Sequence, residues 1–379
     1  MRIRKLDPRS SKDIRQFIGF PFQIYQNCQQ WVPTLESEIK LVFNHDEHPF
    51  YQHSEGDFFV VESEGDTLGR IAVLQNRNYC AHHHEQIGFF YYFDVVEDLE
   101  AAKLLFTAAM TWCKDKGIKY LYGPRGFLRA DGIGMLVEGF EHRSALGISY
   151  NYPYYGNFME ELGFIKESDY FSGYMDRHQR LPERLHEVVE KVKQRGKFWI
   201  KTFRDKTEMR EWIPYIEKVH NEAFCNNPGF YPSTDAEFKI LAGNIIQIAD
   251  PKLVKIIMKE QEVAGFIIAY GDISAAIRKV HGRLYPFGWI SLLREQQTTK
   301  IIDLNGLGLL PKYQGLGGNA LLYAEVEKTI INSRFEFAEM VQIDERNFKS
   351  KSDMETMGVN WYKRHRTYRQ DLDNFFKQG

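Results

Sequence analysis

The chain of 379 residues lacks most of the features that announce the commoner functional classes. Its four cysteines (Cys28, Cys80, Cys113, Cys225) are scattered and form no Cys-x-x-Cys pair, so neither a zinc site nor a disulfide framework is indicated. A reducing compartment, the cytoplasm, is expected. No stretch approaches the apolar run needed to span a bilayer, and the N-terminus, Met1-Arg-Ile-Arg-Lys-Leu-Asp-Pro, has no apolar signal core. A formal net charge of −2 gives no general attraction to nucleic acid, and no nucleic-acid partner is expected. Three adjacent histidines, His82 to His84, cannot converge easily on one ion, so no metal is expected either. Ser144, Cys225 and the histidines stand in no nucleophile-elbow setting.

What remains is an ordinary globular composition, 43% hydrophobic and 26% charged, with aromatics high at 15%. The length suits two domains. The most informative stretch is 303–330. Leu304, Leu307, Leu309 and Leu310 predict an apolar strand that Pro311 stops, because proline has no N–H. Gly315, Gly317 and Gly318 then open a helix with Leu321, Leu322 and Val326 on one face. A glycine turn at a helix N-terminus presents backbone N–H groups to a phosphate, although an ordinary tight turn has the same spacing. No Gly-Lys-Ser/Thr follows, so it is not a nucleotide P-loop, and Ala320 stands where a dinucleotide fingerprint wants its third glycine.

The chain order repeats. Residues 12–43 read as helical, 58–74 as a hairpin across Glu-Gly-Asp, 86–95 as a strand, 99–116 as an amphipathic helix and 119–123 as another strand. Residues 208–224 (helix), 252–258 and 262–269 (hairpin), 300–310 (strand), the glycine turn and its helix, and 336–343 (strand) return the same order. A tandem duplication of an α/β unit follows, with a mixed sheet. The charged stretch 181–197 separates the copies, which places the domains at 1–178 and 199–379 with a helical linker at 179–198. In the first copy, Glu97, Asp98 and Glu100 occupy the helix start where the second has glycines. Acids there satisfy the helix dipole internally and repel a pyrophosphate, so the second copy is expected to carry any coenzyme.

These residues resemble a family. Gln314-x-x-Gly317-x-Asn319 is similar to the pyrophosphate loop of the GNAT (GCN5-related N-acetyltransferase) acyltransferases, with Asn319 at a position usually held by Gly or Ala. Asn347-x-x-Ser350-x-x-x-Met354-x-x-x-Gly358-Val359 resembles the family's closing helix and turn, and Asn151 to Phe164 is a degenerate counterpart. Arg125-Gly126, Val137 to Phe140 and the Asn-x-Pro-Tyr-Tyr run at 151–155 resemble a narrower set of bacterial tandem GNAT proteins, some of which are thought to N-acylate long-chain amino alcohols. The resemblance implies two tandem GNAT-like domains, the N-terminal one degenerate, and transfer of an acetyl or longer acyl group from coenzyme A to an amine of a small or lipid-like acceptor. It also implies coenzyme contacts at Leu307, Leu309, Gln314, Gly315, Leu316, Gly317, Gly318, Asn319 and Asn347. A tyrosine that protonates the departing thiolate in many members is Met354 here, which leaves water, Tyr362 or another side chain for that task. A non-catalytic acyl-CoA-binding or scaffold protein is the alternative.

Such a reaction needs a neutral amine, a route for its proton and a donor to the oxyanion. Period two along the strand places Asp303, Asn305, Leu307 and Leu309 on one face, which makes Asp303 the candidate base and Asn305 its neighbour; an edge-strand surface acid is the plain reading. His220 and Glu222 could order the acceptor, or lie on a solvated helix face. Arg364, Arg366 and Arg369 could touch the adenosine phosphate, or form a charged surface. The stretch 278–293 couples a basic start to Tyr285, Phe287 and Trp289. It could wall an apolar acceptor pocket, touch a membrane surface peripherally, or be interface core. Acyl chain length, acceptor identity and oligomeric state are left open.

Overall fold

The computed structural model describes residues 1–378. Its chain divides into two compact units that are not continuous in sequence: Met1–Tyr170 with Ser274–Ser291 and the segment from Lys363 onward, and Phe171–Ile273 with Leu292–Tyr362.

In the first unit the strands β1 (Arg2–Lys5), β2 (Glu55–Ser63), β3 (Asp66–Gln75), β4 (Ile87–Val95) and β5 (Tyr120–Gly123) lie in that order. The Glu-Gly-Asp turn joins β2 to β3, with Glu64 and Gly65 both at positive φ as a two-residue hairpin loop demands. β6 (Met135–Glu138) pairs with a late strand of the chain that returns to this unit beside β5. Helices α1 (Ser11–Ile24), α2 (Glu36–Phe43), α3 (Arg77–His83), α4 (Leu99–Asp115) and α5 (Tyr154–Glu161) complete the layers. The single helical stretch expected over 12–43 is therefore two helices, because Pro33, without an N–H, lies in the break between them. α4 buries Ala102, Leu105, Phe106, Ala109, Met110 and Cys113 against the sheet.

In the second unit, β7 (Ile165–Asp176) enters from the first, and α6 (Glu183–Gln194) fills the stretch expected to link the copies. Then come β8 (Phe198–Lys201), α7 (Lys206–Phe224), α8 (Asp235–Ile248), β9 (Lys255–Lys259) and β10 (Glu262–Gly271). α7 starts because the Asp205 carboxylate accepts from the N–H groups of Thr207 and Glu208, and α8 because Thr234 and Glu237 form a capping box. Helix α9 (Ser274–Lys279) and the first residues of α10 (Gly288–Thr298) belong to the first unit, and the chain then returns to the second with β11 (Ile301–Leu309), α11 (Gly318–Ile331), β12 (Phe337–Asp344) and α12 (Phe348–Met357). β13 (Asn360–Asp371) starts here and supplies the strand that completes the first unit, where α13 (Leu372–Gln378) follows. The order within the second unit is β7-β12-β11-β10-β9-β8, with β11 and β12 parallel and the pairs β8–β9, β9–β10 and β10–β11 antiparallel.

Candidate functional site

The site grows from two irregularities of β11. First, a bulge opposite Ile268 and Ala269 of β10 leaves Asn305 as the extra residue, since Ala269 pairs with Leu304 and Ile268 with Gly306. The bulge resets the alternation. Asp303 faces with Tyr270, Ile268 and Phe266, whereas Leu304, Leu307 and Leu309 pack on the opposite face with Ile267, Leu321 and Val192. This corrects the expectation of one common face for Asp303, Asn305, Leu307 and Leu309. Asn305 stays on the Asp303 side, where its Nδ2 donates to the Tyr270 hydroxyl at 2.6 Å.

Second, the parallel ladder between β11 and β12 runs from Ile301↔Phe337 to Leu304↔Met340, while both strands continue to Leu309 and Asp344. The strands part beyond Leu304. Parting strands expose backbone N–H and C=O groups that a bound chain can pair with.

Beyond the split the chain makes a short 3₁₀ turn at Pro311–Tyr313 and reaches the glycines. Gly315 and Gly317 adopt φ of 75° and 86°, a region open to glycine at little cost. Gly317 is the N-cap of α11 and offers no side chain to the N–H groups of the first turn, which leaves them available to an anion. The start of the helix is pressed onto its neighbours: a Cβ on Gly317 would lie 2.5 Å from Val192 Cγ2. Gln314 Nε2 donates to the Leu309 carbonyl at 3.1 Å, which ties the turn to the strand end. Lys349 Nζ stands 3.2 Å from Gln314 Oε1 and adds a cation beside the turn. Asn319 Nδ2 donates to Asp353 Oδ2 at 3.1 Å, and the Tyr323 hydroxyl reaches the same oxygen at 3.4 Å. Burial raises the Asp353 carboxyl above its usual range, against the lowering effect of these two donors.

On the Leu304 face, between α11, β12 and α12, opens an apolar cleft of about 600 Å³ including the space exposed to solvent. Its walls include Leu304, Ile267, Tyr323, Val326, Ile330, Met340, Met354 and Met357. Methionine walls adapt to a flexible apolar guest.

On the other face Asp303 is fully buried, so it is not a surface acid. It lies in register with Tyr270 on one side and Glu339 on the other. The Tyr270 hydroxyl is raised far above its ordinary value, by burial first and then by the charges of Asp303, Asp272 and Glu339. Asp272 and Glu339 are also buried.

The other expected residues are dispersed. Gly315 and Leu316 are exposed on the turn and Gly318 is buried beneath it. Asn347 caps α12, accepting from Ser350 N–H at 3.2 Å. Tyr362 packs edge-on against Tyr174, whose ring meets Phe337 at the start of the β11–β12 ladder, before the split. His220 is buried among Phe224, Phe238 and Phe266, which overturns the solvated-face reading for it, while Glu222 is exposed. Arg364 and Arg366 both bond Asp169. Tyr285, Phe287 and Trp289 are 87%, 73% and 47% exposed, so they are neither interface core nor a closed pocket wall. Sequence reasoning missed Tyr270, Asp272 and Glu339, which only strand register brings to Asp303, and Tyr323, Lys349 and Asp353. The last three had a signal: they sit on the helices flanking the glycine turn.

No protein-family model matches the chain. It is similar to Protein YghO of Escherichia coli K12, with 24% identity over 370 residues that cover 96% of this chain and 94% of that protein. It is also similar to a bacterial ceramide synthase of Caulobacter vibrioides, 26% identical over 286 residues that cover 75% of this chain and 74% of that protein. Among solved structures, a tandem GNAT protein from the clavulanic acid biosynthesis pathway matches over 98% of both chains with a TM-score of 0.57 and 10% identity. A GCN5-related N-acetyltransferase from Sphaerobacter thermophilus matches over 98% of this chain and 95% of its own, with a TM-score of 0.53 and 12% identity. Bulged strand, split parallel pair and glycine-opened helix thus lie within a fold that this chain shares, nearly end to end, with tandem GNAT proteins.

Proposed function

We propose that the second unit binds a long-chain acyl-coenzyme A and transfers its acyl group to the amine of a lipid-like acceptor, of the sphingoid amino-alcohol type. The observation that carries this reading is the continuity of three features in one unit: the uncapped start of α11, the split between β11 and β12, and the methionine-walled cleft beside Leu304. The pyrophosphate would take the N–H groups at Gly317 to Ala320 with Lys349 nearby, the pantetheine arm the split, and the acyl chain the cleft. The cleft is walled almost wholly by apolar surface, which suits a hydrocarbon chain better than an acetyl group. The likeness to a bacterial ceramide synthase supports an acceptor with a long chain of its own.

The amine nitrogen attacks the thioester carbon, so a C–N bond forms and the C–S bond breaks. The proton shed by nitrogen passes towards Asp303 through water, and a backbone N–H at the parted strand steadies the oxyanion. At the position where many GNAT enzymes carry the tyrosine that serves the leaving thiolate stands Met354, buried and without a proton to give. Tyr323 lines the same cleft and is the side chain we assign to give its proton to sulfur.

The missing acid at Met354 also favours a second reading, a coenzyme-binding protein without turnover. Thiol release from palmitoyl-CoA, followed across a panel of amines including sphinganine, separates the two. Amine-dependent release that falls about a hundredfold in Tyr323→Phe supports transfer. Tight binding without release on any amine supports the second reading, and absence of binding to both acetyl- and palmitoyl-CoA sinks both.

A further inference from the structure

The segment 274–291 of the first unit carries a cluster of exposed aromatic and aliphatic residues, with Tyr285 the most exposed large hydrophobic residue among those described. Tyr285 is 87% exposed, Phe287 73%, Trp289 47% and Ile290 49%. They form one tip, held up by a firm base. His281 packs on Phe22 with ring centroids 6.1 Å apart, Arg283 Nε bonds Glu36 at 3.0 Å, and Arg278 bonds the Gln29 carbonyl. Gly282, at φ 70°, gives its carbonyl to Glu36 N–H at 3.0 Å and passes so close to the Thr34 carbonyl that a Cβ would lie 2.8 Å from it.

The tip also satisfies its own polar groups. Trp289 N–H donates to the Leu284 carbonyl at 3.0 Å, Ile290 N–H to the Phe287 carbonyl at 3.1 Å, and the Trp289 indole to the Pro286 carbonyl at 3.0 Å. These three internal bonds lower the cost of bringing the tip to an apolar phase, where unpaired donors are penalised. Along the segment itself the charges have one sign: from Ser274 to Ser291 there are three cations, Arg278, Lys279 and Arg283, and no Asp or Glu. Arg283 is partly neutralised by Glu36, while Lys279 is exposed and has no ion pair among the described residues.

We propose that this tip is a membrane wedge: Tyr285, Phe287, Trp289 and Ile290 insert at the headgroup level of an anionic bilayer while Arg278 and Lys279 contact lipid phosphates. Tyrosine and tryptophan suit that depth because each joins an apolar ring to a polar edge, and basic residues beside an apolar face supply attraction to anionic lipid. A second copy of the chain or a protein groove would also accept aromatic side chains. Only an anionic surface, however, also answers an uninterrupted run of cations.

The test uses the full-length protein without coenzyme or amine, so its outcome is independent of the transferase reading. Sedimentation is measured with vesicles of phosphatidylcholine alone and of equal parts phosphatidylcholine and phosphatidylglycerol. The wedge predicts binding to the mixed vesicles that weakens with added salt, and at least a roughly tenfold loss of partitioning in Phe287→Ser/Trp289→Ser. Lys279→Gln should lower partitioning on mixed vesicles by roughly fivefold. The substituted residues are exposed, and an unchanged circular-dichroism melt confirms that the double variant folds. Failure of the wild type to sediment, or equal sedimentation of the double variant, overturns the wedge. A dimer seen by light scattering that the double variant dissociates, with no vesicle binding, assigns the tip to a second copy and overturns it as well.

Discussion

The two units build the same crossover and finish it differently. In the first, β4 leaves β5 after Phe89↔Tyr122 and runs on to Val95, with a register shift against β3 between Arg70 and Ala72. In the second, β11 leaves β12 after Leu304↔Met340 and runs on to Leu309, with its bulge at Asn305. Bulge and split are therefore common property. In the first unit the strand end is filled from within: Val95 N–H donates to the Tyr155 hydroxyl at 2.9 Å, and the Tyr154 hydroxyl donates to the Val95 carbonyl at 2.8 Å. Asp94 is held by Arg70 at 2.7 Å and by the Tyr25 hydroxyl at 2.9 Å, and Asp98 caps α4 through Ala101 N–H. In the second unit α11 starts at an uncapped glycine, and α12 brings Met354 and Met357 to the cleft. The same kind of crossover can thus hold a plug in one unit and a cleft in the other, according to the side chains that reach the strand end.

The sharpest way to break this comparison is at the glycine turn. Gly317→Val combines φ 86° with a Cβ 2.5 Å from Val192, and should reduce coenzyme A affinity by at least ~100-fold in calorimetry. Gly315→Ala meets no atom within 4 Å, so only its left-handed backbone is strained, by roughly 1–2 kcal/mol; it should fold normally and still weaken binding. Asp98→Ala in the first unit should cost about 1 kcal/mol of stability and leave coenzyme affinity unchanged. An equal loss of affinity from Asp98→Ala would refute the assignment of the coenzyme to one copy.

A second substitution sharpens the cleft. Met354→Trp should lower palmitoyl-CoA affinity ~10-fold or more and leave acetyl-CoA affinity as it was, because the ring occupies only the chain's space. In the first unit Tyr155→Phe removes the acceptor of Val95 N–H and should lower unfolding free energy by about 1–3 kcal/mol with no change in coenzyme binding.

Much of this frame was legible in the sequence, and the reasons are local. The glycine turn, the hairpins at 64–65 and 260–261 and the amphipathic α4 follow from φ preference and period, which neighbours along the chain determine. The acid cap of α4 was readable for the same reason. The site's inner face was not. Asp303 meets Tyr270 and Glu339 only through strand register, and one bulge at Asn305 moves Leu307 and Leu309 to the opposite face. His220 looked solvated beside Asn221 and Glu222, yet Phe224 one helical turn on, and Phe238 and Phe266 from distant elements, enclose it. The return of residues 274–291 and of β13 to the first unit likewise depends on long-range contacts that no window of sequence contains.

The smallest expected effect is on pH dependence, and two groups, one in each unit, should contribute with opposite sign. In the first, His365 is held down to about 3, by burial first and then by the charge of Lys363. Its neutral form is favoured by folding, so its contribution is complete above the unfolded value near 6.5 and is lost as the pH falls towards 3, by at most about 1.4 kcal/mol per pH unit. In the second, Asp353 is raised by burial, so folding favours its protonated form; that contribution is complete below the unfolded value near 3.8 and is lost as the pH rises through the folded value. Hydrogen exchange read by peptide between pH 4 and 7 should show the β13 peptides around His365 loosening on acidification. Asp353→Asn should flatten the pH response of peptides from α11 and α12.

The central claim is that one copy holds the coenzyme and the other is plugged. Crystals of the full chain soaked with palmitoyl-CoA test it most directly. The account predicts pyrophosphate density at Gly315 to Asn319 and an acyl chain lying among Leu304, Met340, Met354 and Met357. Coenzyme bound at the β4–β5 split, with the second unit's turn empty, would contradict it.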